Sequence, residues 1–170
     1  MRLLFSTVHG SHLYGLNHAE SDNDYFEVYA NVPGRSKHRW AYQTVKGGLD
    51  VTQMNLSTWL FYCQEGAHQS LEAMFSPCPM LDTLTEFRNS YRLNTRTFVP
   101  RYLDTAYAFS RFAELKKQRH ALRLLWALQD GVEYGRFDPV VTPRRREYLL
   151  SAPLDELTNV VQMRLKEWGE

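Results

Sequence analysis

Apolar and β-branched residues come first in short strand-like runs, and later at spacings of three and four. Leu3-Leu4-Phe5-Ser6-Thr7-Val8 is β-leaning and is bounded by His9-Gly10, which predicts a first strand. Asp24-Tyr25-Phe26-Glu27-Val28-Tyr29-Ala30 alternates and is rich in aromatics, which predicts a second. Between them, GSHLYG (Gly10 to Gly15) is opened and closed by glycine and reads as a tight turn with room for one helical turn, followed by a polar loop from Asn17 to Asn23. Residues 31–46 contain Pro33, Gly34 and several basic residues and read as a loop over the site, a candidate mobile lid. Gly47-Gly48 leads into a third strand, Leu49 to Met54. Asn55 or Ser57 is placed to cap a helix from Leu56 to Gln64, which Gly66 stops. Ser70 to Phe75 reads as a second short helix, closed by Ser76-Pro77-Cys78-Pro79.

The second half is helical in pattern. Phe98, Tyr102, Ala106, Phe109 and Ala113 form one stripe, and Leu115, Leu122, Leu125 and Trp126 continue it until Gly131 and Gly135 break it. Residues 136–153 read as a Pro-containing basic connection, and Leu154 to Trp168 as a last amphipathic helix. The fold class expected is α+β: a mixed sheet with a helical C-terminal part, divided as a catalytic core over residues 1–90 and a helical region over 91–170 packed on it.

A chain of 170 residues can bury a real core without disulfide or metal staples. Ten Tyr, nine Phe and four Trp are far more than a disordered chain carries. Cys63 and Cys78 form no CxxC pair and read as reduced, buried or semi-buried thiols of a cytoplasmic protein. The first residues, interrupted by His9 and Gly10, suit a strand better than a signal peptide, and no window is long enough for a membrane span. The net charge of +1 conceals an asymmetry. Residues 1–86 carry five Lys/Arg against nine Asp/Glu, and residues 87–170 carry fifteen against ten. An acidic half joined to a basic half suits a metal-holding site beside a surface for phosphates, and equally suits solvated faces.

The chemistry concentrates in GSHLYG, SDND (Ser21 to Asp24) and LDV (Leu49 to Val51). Asp22 and Asp24 are two apart, so on a strand their side chains leave one face, where they repel unless a cation lies between them. Asp50 can add a third carboxylate from an adjacent strand. Hard divalent cations prefer such oxygen ligands, and three carboxylates around two ions suit in-line displacement at phosphorus. Gly10 and Ser11 offer a turn whose N–H groups and hydroxyl can hold phosphate oxygens. Alone, a DxD is usually surface charge and a Gly-Ser an ordinary turn; their order, spacing and strand context together make the signal.

GSHLYG followed by SDND resembles the nucleotidyltransferase superfamily that includes DNA polymerase beta, kanamycin nucleotidyltransferase and the CCA-adding enzymes. With LDVTQMNLSTWLFYCQEG, LEAMFSP, KKQRHALRLL and, more loosely, PRRREYLLS, the chain looks most like the RNA repair pathway DNA polymerase beta family, over most of its length. The resemblance implies an enzyme that moves a nucleoside monophosphate from an NTP to a hydroxyl, releasing pyrophosphate. It implies two Mg²⁺ or Mn²⁺ ions held by Asp22, Asp24 and Asp50, with Asp50 activating the acceptor hydroxyl and Gly10 and Ser11 on the triphosphate. An RNA or tRNA-like 3′ end is the acceptor it suggests; a small molecule, a protein, or a non-catalytic antitoxin-like role are the competing readings. No membrane partner is implied, and nothing in the sequence fixes the oligomeric state.

Lys116, His120 and Arg123 fall at i, i+4 and i+7, one basic stripe on a helix. With the family resemblance they become contacts to the nucleotide phosphates, or to an acceptor backbone; without it they are a solvated face opposite Leu115, Leu122 and Leu125. Arg144-Arg145-Arg146 can track a nucleic-acid backbone or line a solvated turn. His9 and His12 flank Gly10-Ser11 and can reach a phosphate, whereas zinc would lack a cysteine partner nearby. Tyr14 reads as packing before base stacking, and Trp59-Leu60-Phe61 and Met74-Phe75 as core.

Overall fold

A computed structural model describes residues 1–32 and 40–169. The chain divides into two compact units, one of residues 1–91 with 138–140, the other of 92–137 with 141–170.

The first unit is built on a five-stranded mixed sheet. Its strands are β1 (Arg2–His9), β2 (Asn23–Ala30), β3 (Ala41–Lys46), β4 (Leu49–Asn55) and β5 (Pro79–Asp82), in the order β3-β4-β2-β1-β5. β1 runs antiparallel to β2 and β5, β3 antiparallel to β4, and β2 parallel to β4. The helices of this unit are α1 (Gly10–Tyr14), α2 (Leu56–Gln64), α3 (His68–Phe75) and α4 (Thr85–Ser90).

One face of the sheet carries the core. Phe5, Phe26 and Val28 are fully buried; the Trp59 ring from α2 stacks on Phe5 with centroids 5.3 Å apart and lies 6.4 Å from Phe26. Asn55 fixes the entry of α2, its side-chain oxygen accepting from the Thr58 N–H at 2.8 Å, as a cap should. Trp59 Nε1 donates to the Ser70 carbonyl at 3.0 Å, tying α2 to α3. Arg88 on α4 is buried, donates to the Asp82 carboxylate and the Met74 and Ser76 carbonyls, and lies over the Phe5 ring.

The second unit is helical: α5 (Thr95–Ser110), α6 (Leu115–Tyr134), α7 (Pro143–Ser151) and α8 (Leu154–Gly169). Phe98, Tyr102 and Ala106 from α5, Leu122, Leu125 and Leu128 from α6, and Leu157 and Val161 from α8 are buried at three- and four-residue spacings. Gln118 closes the α5–α6 turn by donating to the carbonyls of Ser110 (2.9 Å) and Phe112 (2.7 Å).

The fold class is α+β with a helical C-terminal part, as the pattern predicts, but several elements differ. Of the expected loop 31–46, residues 41–46 form strand β3, and 33–39 lie outside the described residues. β3 has all six residues exposed, so it lacks the buried alternation that announces a strand. β5 begins on Pro79, a residue that edge strands tolerate at their start and that reads in sequence as a stop. Gly131 lies inside α6: a Cβ there would come 2.6 Å from Phe98 and 2.8 Å from Leu93, so the glycine permits a close approach, and α6 ends at Gly135. The basic connection 136–153 contains α7, because Pro143 stands at the first helical turn behind Thr142 as cap. Pro is favourable there rather than disruptive. The α5 stripe stops at Ser110, so Ala113 lies beyond the helix.

Candidate active site

The site is made where β2 and β4 begin and β1 ends. Asp24 is the register partner of Asp50 across the parallel β2–β4 pair and of His9 across the antiparallel β1–β2 pair. Residues opposed in this way share a face, so His9, Asp24 and Asp50 form one row on the face that carries Phe26 further along β2. Asp22 precedes β2 by one residue and follows a turn closed by the Ser21 N–H to the His18 carbonyl (3.0 Å) and the His18 N–H to Ser21 Oγ (2.9 Å). Asp24 and Asp50 thus share one face at one end of the sheet, both half-buried, and Asp22 lies exposed just before β2 at that end.

Glycines set the contours. Gly10 has φ +59°, and a Cβ on it would lie 1.8 Å from Asp24 Oδ2. The Asp24 carboxylate therefore rests against bare backbone, and only glycine satisfies both the conformation and the space. Gly47-Gly48 joins β3 to β4 as a two-residue hairpin with φ of +60° and +77°, the conformation such tight turns require. The Gly48 carbonyl accepts the Asn23 N–H at 2.9 Å, and a Cβ on Gly48 would be 3.7 Å from Asp22 Oδ1. The hairpin thereby anchors the start of β2 between the two aspartates.

Burial, then the Asp50 carboxylate, hold the Asp24 carboxyl above its ordinary range. His9 opposes this, Asp22 adds to it, and His12 opposes it. Like charges held this close favour a proton or a cation between them. The donors are all oxygens, which suits a hard divalent ion. Among the described residues no group of three or more His, Cys, Asp or Glu side chains stands ready to hold a metal ion.

Two features carry no signal in the sequence. Gln43 on β3 donates through Nε2 to both Asp50 oxygens, at 3.0 and 2.7 Å; no motif marks it, and β3 itself has a loop-like pattern. Beneath the row, Glu72 on α3 is fully buried, accepts from the Tyr14 hydroxyl at 2.6 Å, and lies 3.5 Å from His9 Nε2. His9 and Tyr14 are thereby part of the interior, and Tyr14 packs rather than standing open to a base. Ser11 lies one residue into α1, half-buried, its carbonyl accepting the Leu16 N–H at 2.9 Å.

Lys116, His120 and Arg123 share a face of α6 in the second unit. They are not a uniformly solvated stripe: Lys116 is exposed, His120 half-buried and Arg123 buried. Arg123 Nη2 lies 3.1 Å from His120 Nδ1, and the His120 ring meets Phe109 edge-on at 4.2 Å. Of the three arginines, Arg145 pairs with Asp130 (2.7 and 3.2 Å) and covers the Trp126 ring, so it serves the helical unit, while Arg144 is exposed.

The sequence matches the family model described as the RNA repair pathway DNA polymerase beta family over residues 1–166. No curated protein matches it. No described helix is long and apolar enough to cross a membrane. The match spans nearly the whole chain, and the chain belongs to this family.

Proposed function

We propose that this member of the RNA repair pathway DNA polymerase beta family transfers a nucleoside monophosphate from an NTP to the hydroxyl of an RNA 3′ end, releasing pyrophosphate. The observation that carries the reading is the register partnership of Asp24 and Asp50, with Asp22 two residues before and Gly10 bare against the Asp24 carboxylate. Asp22, Asp24 and Asp50 would hold two Mg²⁺ or Mn²⁺ ions. When bound, such ions lower the pKa of the attacking hydroxyl and offset charge on the reacting phosphate and departing pyrophosphate.

The protein's own share is positioning and proton transfer. Asp50, beside the open strand β3, takes the proton of the acceptor hydroxyl. Gly10 and Ser11 hold the triphosphate through backbone N–H groups and the serine hydroxyl. In the second unit, Lys116 on α6 is exposed and available to a phosphate, while Arg123 is buried and its Nη2 lies 3.1 Å from His120 Nδ1. RNA is favoured as acceptor by the family and by the basic second half of the chain.

Asp24→Ala tests the assignment. The variant should keep its cooperative melt and lose nucleotidyl transfer, since the loss is one of charge stabilisation at the reacting centre. Transfer at the wild-type rate by this variant would refute the reading. Acceptor binding that weakens steeply with salt indicates RNA, through counterion release; shallow dependence points to a small acceptor.

A further inference from the structure

Among the described residues, Asp50 is the one member of the aspartate trio that receives a dedicated side-chain donor, and that donor comes from an exposed strand. Gln43 pairs in register with Thr52, two residues beyond Asp50 on β4, so its side chain leaves the sheet on the site face and reaches diagonally to the carboxylate. Its amide nitrogen spans both oxygens, at 3.0 and 2.7 Å. Val45, the direct register partner of Asp50, lies on the same face and is 71 % exposed. A valine open to water beside a carboxylate leaves the approach to Asp50 free of other polar groups on β3. A carboxylate that takes a proton from an incoming hydroxyl needs one oxygen presented to that hydroxyl. Here both are engaged by an uncharged amide, which an incoming group can displace from one oxygen while the other stays available to an ion.

We propose that Gln43 is a positioning residue that reserves Asp50 for the acceptor and keeps it from activating water. The inference rests on the nucleotidyltransferase reading of the site. In productive transfer the acceptor hydroxyl displaces the amide from one Asp50 oxygen. The hydroxyl oxygen then bonds to the α-phosphorus, the bond from that phosphorus to the pyrophosphate oxygen breaks, and the proton passes to Asp50. In the side reaction a water oxygen makes the same attack and gives NMP and pyrophosphate. A polynucleotide end, bound through many other contacts, is held against Asp50 long enough to displace Gln43. A single water has no such anchorage.

The test uses the full chain with Gln43→Ala and Gln43→Asn, the second being one methylene too short to span the carboxylate. Both should melt within a few degrees of wild type, because Gln43 is exposed. With α-labelled NTP and Mg²⁺, the ratio of free NMP to transferred NMP should rise about tenfold in both variants, the factor expected for loss of one hydrogen bond to a charged group. An unchanged ratio, with transfer intact, overturns the proposal and leaves the function standing. A second readout needs no turnover: the Gln43 side-chain amide resonance, assigned by its loss in Gln43→Ala, should move in Asp50→Asn. A resonance indifferent to Asp50→Asn also overturns the proposal. A wild-type chain that shows the amide contact but turns over no NTP with any acceptor overturns the nucleotidyltransferase reading, and this proposal with it.

Discussion

Replacing Gly10 by alanine puts a Cβ 1.8 Å from Asp24 Oδ2, 2.8 Å from its Cγ and 3.2 Å from its Cβ. Ordinary contact begins near 3.4 Å, so the carboxylate has to retreat by roughly 1.6 Å (3.4 − 1.8) or the turn has to move with it. A 1 Å misplacement at a reacting centre costs about 100-fold in rate, so transfer should fall by at least that factor. The substitution also forces alanine to φ +59°, a left-handed conformation that costs about 1–2 kcal/mol. Gly15 supplies the control. It has φ +73°, and a Cβ on it would meet nothing within 4 Å, so Gly15→Ala carries the backbone cost without the collision. For a chain of this size each kcal/mol lowers Tm by about 2–4 °C. Both variants should therefore lose several degrees by calorimetry, while only Gly10→Ala loses transfer and Mn²⁺ binding measured by electron paramagnetic resonance. Equal transfer by the two variants would show that the bare backbone against Asp24 has no part in the chemistry.

Asp24→Asn should stabilise the metal-free protein at neutral pH, because burial and the Asp50 charge raise the native carboxyl above its unfolded value of 3.8. With a raised pKa the native state binds the proton more tightly, so wild-type stability falls as pH rises from 3.8 through the native value; the Asn variant should lack that slope in urea melts across the acid range. Gly131→Ala should destabilise by about 1–3 kcal/mol despite alanine's better helix propensity, since its Cβ meets Phe98 at 2.6 Å; an unchanged urea midpoint would contradict this close packing. Cys78 is exposed, not buried or semi-buried as its sequence suggests, so in the native protein a thiol reagent should modify it and spare Cys63, which is buried and whose thiol burial pushes well up. Modification of both at equal rates would contradict the burial of α2.

Much of the site is legible in the sequence because short-range geometry decides it. Asp24 and Asp50 lie near the starts of neighbouring strands and pair in register, while Asp22, which strand periodicity puts on the face of Asp24, falls one residue before the strand. The strand around Phe26 announces itself by alternation, that around Phe5 by its apolar and β-branched residues, and α2 by the cap candidates Asn55 and Ser57 before it. What remains hidden depends on partners far along the chain. β3 is an exposed edge whose residues have no burial pattern, so Gln43 carries no signal until β4 is placed beside it. Gly131 and Pro143 look like breaks, but one is explained by the Phe98 ring across the helix pair and the other by its place at the head of a helix. The burial of Glu72 behind His9 and Tyr14 likewise needs α3 folded against the sheet.

The central claim is tested most directly by incubating the protein with each α-labelled NTP in turn, Mg²⁺ or Mn²⁺, and total RNA, beside the Asp22→Ala/Asp24→Ala double variant. Label should appear on RNA with the wild-type chain, for at least one of the nucleotides, and be absent with the double variant. Label that persists in the double variant, or an absence of both metal-dependent NTP binding and transfer in the wild type, would contradict it.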